Sequence, residues 1–91
     1  MLRQLVYHAA WLDTQGADCV KEVSMAKACA TEMVSRVVDK AIQVHGAIGL
    51  TNELRLEEAY RWARVLRIPD GTAEIQRRTI ARRLLSGDTE I

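Results

Sequence analysis

The sequence has 91 residues, of which 48% are hydrophobic and 27% are charged. This length allows one small domain or a piece of a larger one, and the composition excludes collagen-like, disulfide-rich and membrane-spanning chains. A net charge of +1 excludes strong global attraction to nucleic acid or to an anionic membrane, so we expect neither partner.

The first half of the chain predicts two helices. Apolar residues recur at helical spacing over residues 2–10, and Gly16 supplies a stop. Asp18 is placed to cap a second helix, whose apolar pattern continues over residues 23–44. We expect this long helix to be buried along one stripe, with a neighbouring helix approaching closely over its small residues. These small residues are Ala26, Ala28 and Ala30.

The second half predicts a turn and two further helices. Gly46 and Gly49 mark a turn in which the backbone bends sharply or approaches something closely. A third helix follows, and we expect Pro69 to stop it. Thr72 is placed to cap a fourth helix that ends at Gly87. The chain therefore predicts an all-α fold of four helices with about 14, 27, 12 and 14 residues.

The cysteines and histidines do not predict a metal site. Cys19 and Cys29 lie ten residues apart, and we expect both to be reduced thiols. His8 and His45 do not supply further ligands at close spacing, so no metal is expected. The sequence also lacks the strand–turn–helix pattern of a nucleotide site, which excludes a self-contained enzyme with its own cofactor domain.

Arginines are concentrated in the second half of the chain. Residues 55–83 contain eight arginines and four acidic residues, an excess of 8 − 4 = +4. We expect a solvated or ion-paired helix face, in which Arg61 and Arg64 pair with acids of adjacent helices, rather than a nucleic-acid stripe. Tyr60 and Trp62 are expected to be packing residues.

Asp70 lies between Pro69 and Gly71, just before the fourth helix. A Pro-Asp-Gly triplet forms turns without any further function. A carboxylate at this position can also serve as a general base. The residues by themselves leave both interpretations open.

Four motifs in the second half of the chain occur in a characteristic order and spacing. They are Gln43-Val44-His45-Gly46-Ala47-Ile48-Gly49, Tyr60-Arg61-Trp62-Ala63-Arg64, Asp70-Gly71-Thr72-Ala73-Glu74-Ile75-Gln76-Arg77 and Ile80-Ala81-Arg82-Arg83-Leu84-Leu85. In these motifs the chain resembles the C-terminal end of the flavin-dependent acyl-CoA dehydrogenases, and the likeness extends over essentially all 91 residues. The residues around Asp70 are most similar to those of the branch of this family that has aspartate at the catalytic-base position.

The resemblance implies a role for each motif residue. Asp70 would be the base that removes the acyl α-proton while hydride leaves the β-carbon for the flavin, giving a trans-2-enoyl-CoA. Gly71 would place its backbone against the substrate. Two segments would contact FAD, the second of them in a neighbouring subunit, and His45 would also cap or pack a helix end. The FAD-binding residues implied in this way are Thr72, Ala73 and Glu74, and then Gln43, Val44, His45, Gly46 and Ala47.

The resemblance further implies that residues 1–91 are the C-terminal helical domain, an antiparallel bundle, of a longer FAD enzyme. We expect the chain to be inactive alone, because the middle domain that would hold the flavin and most of the substrate is missing. We also expect a homo-oligomer or docking to the missing N-terminal part, because the apolar stripe is too extensive for one short chain to cover. Acyl-CoA and an electron-transfer flavoprotein are the implied partners, and the compartment is the cytoplasm in a bacterium or the mitochondrion or peroxisome in a eukaryote. The alternative is a stand-alone helical oligomerisation or interaction module with this fold and no catalysis.

Overall fold

A computed structural model describes residues 1–89, and the last two residues of the expected 1–91 domain lie outside this part. It contains four α-helices of 13, 26, 10 and 13 residues and one short 3₁₀ helix. The elements are α1 (Leu2–Thr14), α2 (Val20–His45), the 3₁₀ helix (Gly46–Leu50), α3 (Leu56–Val65) and α4 (Ala73–Leu85). The prediction of an all-α fold with four helices is confirmed over the described residues.

Local chemistry sets most helix ends where the sequence predicts them. Gly16 and Gly87 follow α1 and α4 with φ of 70° and 103°, which glycine adopts without steric cost. The Asp18 carboxylate accepts a hydrogen bond from the Val20 amide at 3.2 Å and so caps α2. These three predictions are confirmed.

The end of α3 differs from the prediction. The helix ends at Val65, four positions before Pro69 rather than next to it. Proline has no amide to donate to the carbonyl four residues earlier, and its ring clashes with that carbonyl in a helix. The Val65 carbonyl instead accepts a hydrogen bond from the Ile68 amide at 2.9 Å. Proline therefore shortens the helix by almost a full turn more than the sequence pattern suggests.

The chain divides into two compact units. The first unit comprises residues 1–30 and the chain from Gly71 onward, and the second comprises residues 31–70. The long helix α2 contributes its first part to the first unit and its second part to the second unit. Each unit is described by itself.

In the first unit, α4 runs antiparallel to the first part of α2. At the start of α4, the Gly71 carbonyl accepts a hydrogen bond from the Lys27 ammonium at 2.9 Å. At the end of α4, Arg83 forms an ion pair with Asp18, which precedes α2. The start of one helix therefore lies against the later part of the other. This pairing joins residues 44 and 65 positions apart in the chain.

In the second unit, α3 runs antiparallel to the second part of α2. The early part of α3 lines a cleft with Asp39 and Ile42, whereas its end lines another cleft with Ser35 and Arg36. The 3₁₀ helix folds back so that Gly49 is buried against the backbone of α2. A turn of tightly packed backbone therefore connects the two helices.

The cores of both units are built from small side chains. The buried apolar residues of the described chain are Ala9, Ala28, Ala63 and Ala73. The predicted burial of α2 along one stripe is wrong for this chain, since Val23, Val37 and Val44 are 52%, 56% and 84% exposed. The reason is incomplete coverage: the short helices α1 and α4 of the first unit, and α3 of the second, do not shield the whole apolar face of the 26-residue helix α2. The exposed side chains leave a surface on which further protein could pack.

Two aromatic residues also differ from their predicted role. Tyr60 and Trp62 were expected to pack, but they are 44% and 62% exposed. Cys19 and Cys29 are free thiols, as predicted. None of the described helices has the length and apolar character needed to cross a bilayer.

Candidate functional site

The candidate site is built around the turn that enters α4. Asp70 and Gly71 both have left-handed backbone, with φ of 55° and 91°. A left-handed conformation is uncommon for residues other than glycine, although aspartate tolerates it better than most. The Asp70 side chain is exposed. The turn therefore presents a carboxylate in an uncommon backbone conformation immediately before a helix.

The peptide that follows Asp70 is held by side chains from two helices. The Gly71 carbonyl accepts hydrogen bonds from the Lys27 ammonium of α2 at 2.9 Å and from the Gln76 side-chain amide of α4 at 3.3 Å. A Cβ atom at position 71 would lie 2.6 Å from the Gln76 amide nitrogen. Glycine at this position is therefore favoured by φ, whereas the contact with Gln76 involves the end of a flexible side chain that can shift.

Thr72 caps α4, as the sequence predicts. Its hydroxyl oxygen accepts a hydrogen bond from the Ile75 amide at 3.2 Å, and its carbonyl accepts one from Gln76 at 2.9 Å. Ala73 is buried, and Glu74 lies exposed in the first turn of the helix. The first amides of a helix lack intrahelical acceptors and carry a partial positive charge. A polar or anionic group can thus be bound at this helix start.

The second predicted segment, residues 43–47, lies at the end of α2 and is exposed throughout. The His45 ring donates a hydrogen bond from Nδ1 to the Ala41 carbonyl at 2.8 Å. This contact holds the His45 ring against the last turn of α2, which agrees with the expected role of His45 at a helix end.

The two glycines of this turn have different tasks. Gly46 has φ of 72°, and a Cβ atom there would meet nothing within 4 Å. A Cβ atom on Gly49 would lie 2.9 Å from the Ile42 carbonyl oxygen and 3.0 Å from its Cα. Gly46 is therefore needed for its left-handed backbone conformation and leaves open space beside it. Gly49 allows the 3₁₀ helix to lie against the backbone of α2 at Ile42, which is the close approach that the sequence predicts.

The arginine-rich surface is ion-paired only in part. Arg55 donates to Glu58 at 2.9 and 3.2 Å, which lowers the pKa of that carboxyl, and Arg61 lies 3.6 Å from Glu57. The first pair joins the residue before α3 to its first turn, and the second lies within α3, so the prediction that Arg61 pairs with an adjacent helix is wrong. Arg64 has no ion pair with any described residue, which contradicts the pairing predicted for it.

Sequence reasoning missed the residues that hold the site from outside its motifs. Lys27 was not singled out in the sequence, yet its ammonium donates a hydrogen bond to the Gly71 carbonyl. Lys21 was not noted at all, although its side chain is 0% exposed and its ammonium lies 2.9 Å from both the carbonyl and carboxylate oxygens of Asp88. This hydrogen bonding to Asp88 raises the pKa of Lys21. The sequence feature that could have indicated these contacts is the presence of lysines near the small residues of α2, where a neighbouring helix was expected to approach.

The predicted site residues fall into two groups. Residues 70–74 are contiguous and surround the start of α4, whereas residues 43–47 form a separate segment at the end of α2. Within residues 1–89, no three His, Cys, Asp or Glu side chains are arranged as metal ligands.

Comparison with known proteins identifies the family. Residues 1–85 match the sequence model of the acyl-CoA dehydrogenase C-terminal domain. The chain is 42% identical over 86 residues to (R)-benzylsuccinyl-CoA dehydrogenase of Thauera aromatica, covering 93% of this chain and 21% of that protein. It is 41% identical over 81 residues to the caffeyl-CoA reductase-Etf complex subunit CarC of Acetobacterium woodii, covering 89% and 21% of the two chains.

A solved structure shows the same arrangement of helices. A chain in the structure of the electron transferring flavoprotein of Acidaminococcus fermentans matches with a TM-score of 0.89 and 34% identity, covering 92% of this chain and 22% of that one. The present chain thus spans about a fifth of the length of the curated relatives it matches. The chain therefore belongs to the acyl-CoA dehydrogenase family and corresponds to its C-terminal domain.

Proposed function

We propose that this chain is the C-terminal part of an FAD-dependent acyl-CoA dehydrogenase in which Asp70 is the catalytic base. The observation that supports this most directly is the turn before α4. It combines an exposed carboxylate at φ of 55° with a following carbonyl held by Lys27 and Gln76. A base must be held in one position relative to the proton it removes, and this turn provides such support.

In the proposed reaction, the Asp70 carboxylate accepts the α-proton of an acyl-CoA. Bound FAD would supply the acceptor for the hydride that leaves the β-carbon, and the product would be a trans-2-enoyl-CoA. Aspartate is one methylene shorter than glutamate, so its backbone must lie closer to the substrate. The backbone of Gly71 would lie along the substrate, since no side chain projects from that position.

The residues present fit parts of a flavin cofactor. The start of α4 offers the amides of Ala73 and Glu74 and a partial positive charge to a polar cofactor edge. At the end of α2, Gly46 leaves open space above its backbone. The dipole of α2 is negative at this end, so donors to a phosphate there would be the Gln43 side chain, the free His45 nitrogen and backbone amides. We propose that residues 43–47 and 72–74 hold FAD in this way.

The proposed enzyme requires more protein than this chain. The matched relatives are about five times longer, and the chain exposes many large apolar side chains. We therefore propose that residues 1–91 act only together with an N-terminal part of the dehydrogenase or with further copies. An electron-transfer flavoprotein is proposed as the electron acceptor, supported by the similarity to a chain in a flavoprotein structure. The compartment would be the cytoplasm in a bacterium and the mitochondrion or peroxisome in a eukaryote.

A domain exchange tests the role of Asp70. Residues 1–85 would replace the matching segment of the Thauera dehydrogenase, and flavin bleaching would be measured after addition of (R)-benzylsuccinyl-CoA. We expect the chimera to bleach its flavin and the Asp70→Asn variant to do so at least about 100-fold more slowly while retaining FAD. Asp13→Asn removes an exposed carboxylate on α1 and should change neither property.

Two results of this exchange would contradict the assignment. Turnover by Asp70→Asn at the rate of the unmodified chimera would show that the base lies elsewhere. Loss of both turnover and flavin would show that Asp70 supports cofactor binding instead. A chimera that retains FAD and does not turn over even with Asp70 present would favour the alternative, a helical interaction module without catalysis.

A further inference from the structure

The second unit contains a charged cleft between the second part of α2 and the later part of α3. Its volume is about 280 Å³. Three arginines contribute to it from the two helices and the segment after α3, and we call it the three-arginine cleft. Its lining residues are Ser35, Arg36, Asp39, Tyr60, Arg64 and Arg67.

The charges of the three-arginine cleft are not neutralised within the described chain. The three guanidinium groups and the Asp39 carboxylate give a formal charge of 3 − 1 = +2. None of these four side chains forms a hydrogen bond or an ion pair with another described residue. Elsewhere in the second unit, Arg55 and Arg61 do pair with neighbouring glutamates. The cleft therefore concentrates the unpaired positive charge of this unit.

One of the residues that line the cleft has a buried donor without an acceptor. The Nε atom of Arg67 is inaccessible to solvent and has no hydrogen-bond partner. A buried donor of a charged group that lacks an acceptor is destabilising, so such groups are usually satisfied by a ligand or by ordered water. Arg67 therefore has donor capacity that no described residue satisfies.

From these observations we propose that the three-arginine cleft binds the phosphate group of a phosphate ester. Guanidinium groups present planar donors that match phosphate oxygens in paired hydrogen bonds. The formal charge of the cleft matches a phosphate monoester, which carries about −1.5 to −2 at pH 7. The cleft is smaller than the ~300–1,000 Å³ of sites that enclose a whole drug-sized ligand, so it accommodates a phosphate group rather than an entire nucleotide.

A neighbouring cleft gives the organic part of the ester a place to bind. Asp39 and Tyr60 line both clefts, and the second cleft, of about 380 Å³, adds Ile42 and Leu50. An ester whose phosphate is held by the arginines could extend past Asp39, which accepts hydrogen bonds from hydroxyl or amine groups. Its apolar atoms would then contact Ile42 and Leu50.

Binding of inorganic phosphate to the 91-residue chain tests the proposal. Titration in a phosphate-free buffer at low ionic strength, followed by backbone amide chemical shifts, should show saturable changes around Arg36, Arg64 and Arg67. We expect Arg64→Gln and Arg67→Gln each to weaken binding about ten-fold or more, since each removes charge-assisted hydrogen bonds. Arg36→Gln, at an exposed position, is a third variant if substitution of Arg67 disturbs the fold.

Controls distinguish a phosphate site from general attraction of anions. Arg78→Gln removes one positive charge from an exposed position of α4, outside the cleft. Because salt screens the interaction between distant exposed charges, this variant should keep its phosphate affinity within about two-fold of the parent. Malonate, a dicarboxylate, should bind at least about ten-fold more weakly than phosphate. The proposal is overturned by absence of saturable phosphate binding, by an equal loss in Arg78→Gln, or by equally tight binding of malonate.

Discussion

The two units of this chain use charge in opposite ways. In the first unit, ion pairs and hydrogen bonds join residues far apart in the sequence, such as Lys21 with Asp88 and Lys27 with Gly71. In the second unit, the ion pairs of Arg55 and Arg61 are with residues three and four positions away along the chain. In the first unit, long-range polar contacts therefore add to the packing of small residues, whereas the ion pairs of the second unit are local in the sequence.

This difference indicates what each unit leaves available for binding. In the first unit, Lys27 of α2 donates to Gly71 before α4, and Lys21 donates to Asp88 after it. The hydrogen bond from Lys27 holds the peptide that follows Asp70. In the second unit three arginines remain unpaired and line one cleft. A unit assembled by close backbone packing can leave its charged side chains free for a ligand.

The largest effect is expected for the packing of the second unit. Gly49→Ala places a Cβ atom 2.9 Å from the Ile42 carbonyl oxygen, and the backbone must move because no flexible side chain can yield. We expect the free energy of unfolding to fall by about 3 kcal/mol, measured by urea denaturation. Gly46→Ala, which meets no atom within 4 Å, should cost only about 1 kcal/mol for its left-handed backbone. Equal losses in both variants would contradict the packing role of Gly49.

The next effect tests the polar support of the catalytic turn. Lys27→Met removes the ammonium that donates to the Gly71 carbonyl while keeping a long side chain. We expect a loss of about 2 kcal/mol in the free energy of unfolding, as for hydrogen bonds to charged groups. Lys40→Met, at an exposed position of the same helix, should be close to neutral in the same urea experiment. A neutral Lys27→Met would show that the turn holds its shape without α2.

A smaller effect is expected for the cap of α4. Thr72→Ala removes the oxygen that accepts from the Ile75 amide and should lower the free energy of unfolding by about 1 kcal/mol. Thr72→Ser keeps the oxygen and should retain most of that stability. Urea denaturation followed by helical circular dichroism measures both variants, and an equal loss in the two would argue against the capping hydrogen bond.

The smallest effect concerns the exposed pair between Asp18 and Arg83. Hydrogen bonds from the Val20 amide and from Arg83 lower the pKa of Asp18. Its contribution to stability is therefore full above the unfolded value of about 3.9 and is lost as pH falls through the lower folded value. Asp18→Asn should be slightly less stable than the parent at pH 7, and the difference should shrink in acid. A difference that persists at pH 2 would contradict this linkage.

Much of the candidate site could be predicted from the sequence because it is built from local chemistry. Thr72 caps the helix that follows it, and Gly71 occupies a left-handed position next to Asp70. Such features depend on residues within a few positions of each other. Lys27 could not be assigned to the Gly71 carbonyl in the same way, because 44 residues separate the two partners.

The packing of the core was harder to predict for the same reason. The apolar pattern of α2 predicts burial, but burial also requires another element to cover each position, and Val44 is 84% exposed. Trp62 likewise lies on a surface that the described chain does not cover. The hydrophobic pattern shows which faces favour burial, and the number of surrounding helices determines which of them are buried.

By itself, the sequence determined the four helices, most of their ends and the family to which the chain belongs. These properties follow from periodicity, capping residues and motif spacing, all of which are local. Only the tertiary structure decided that Lys27 supports the Asp70 turn, that Gly49 rather than Gly46 makes the close contact, and that three arginines converge on one cleft. Those properties depend on which residues distant in the chain are brought together when antiparallel helices pack.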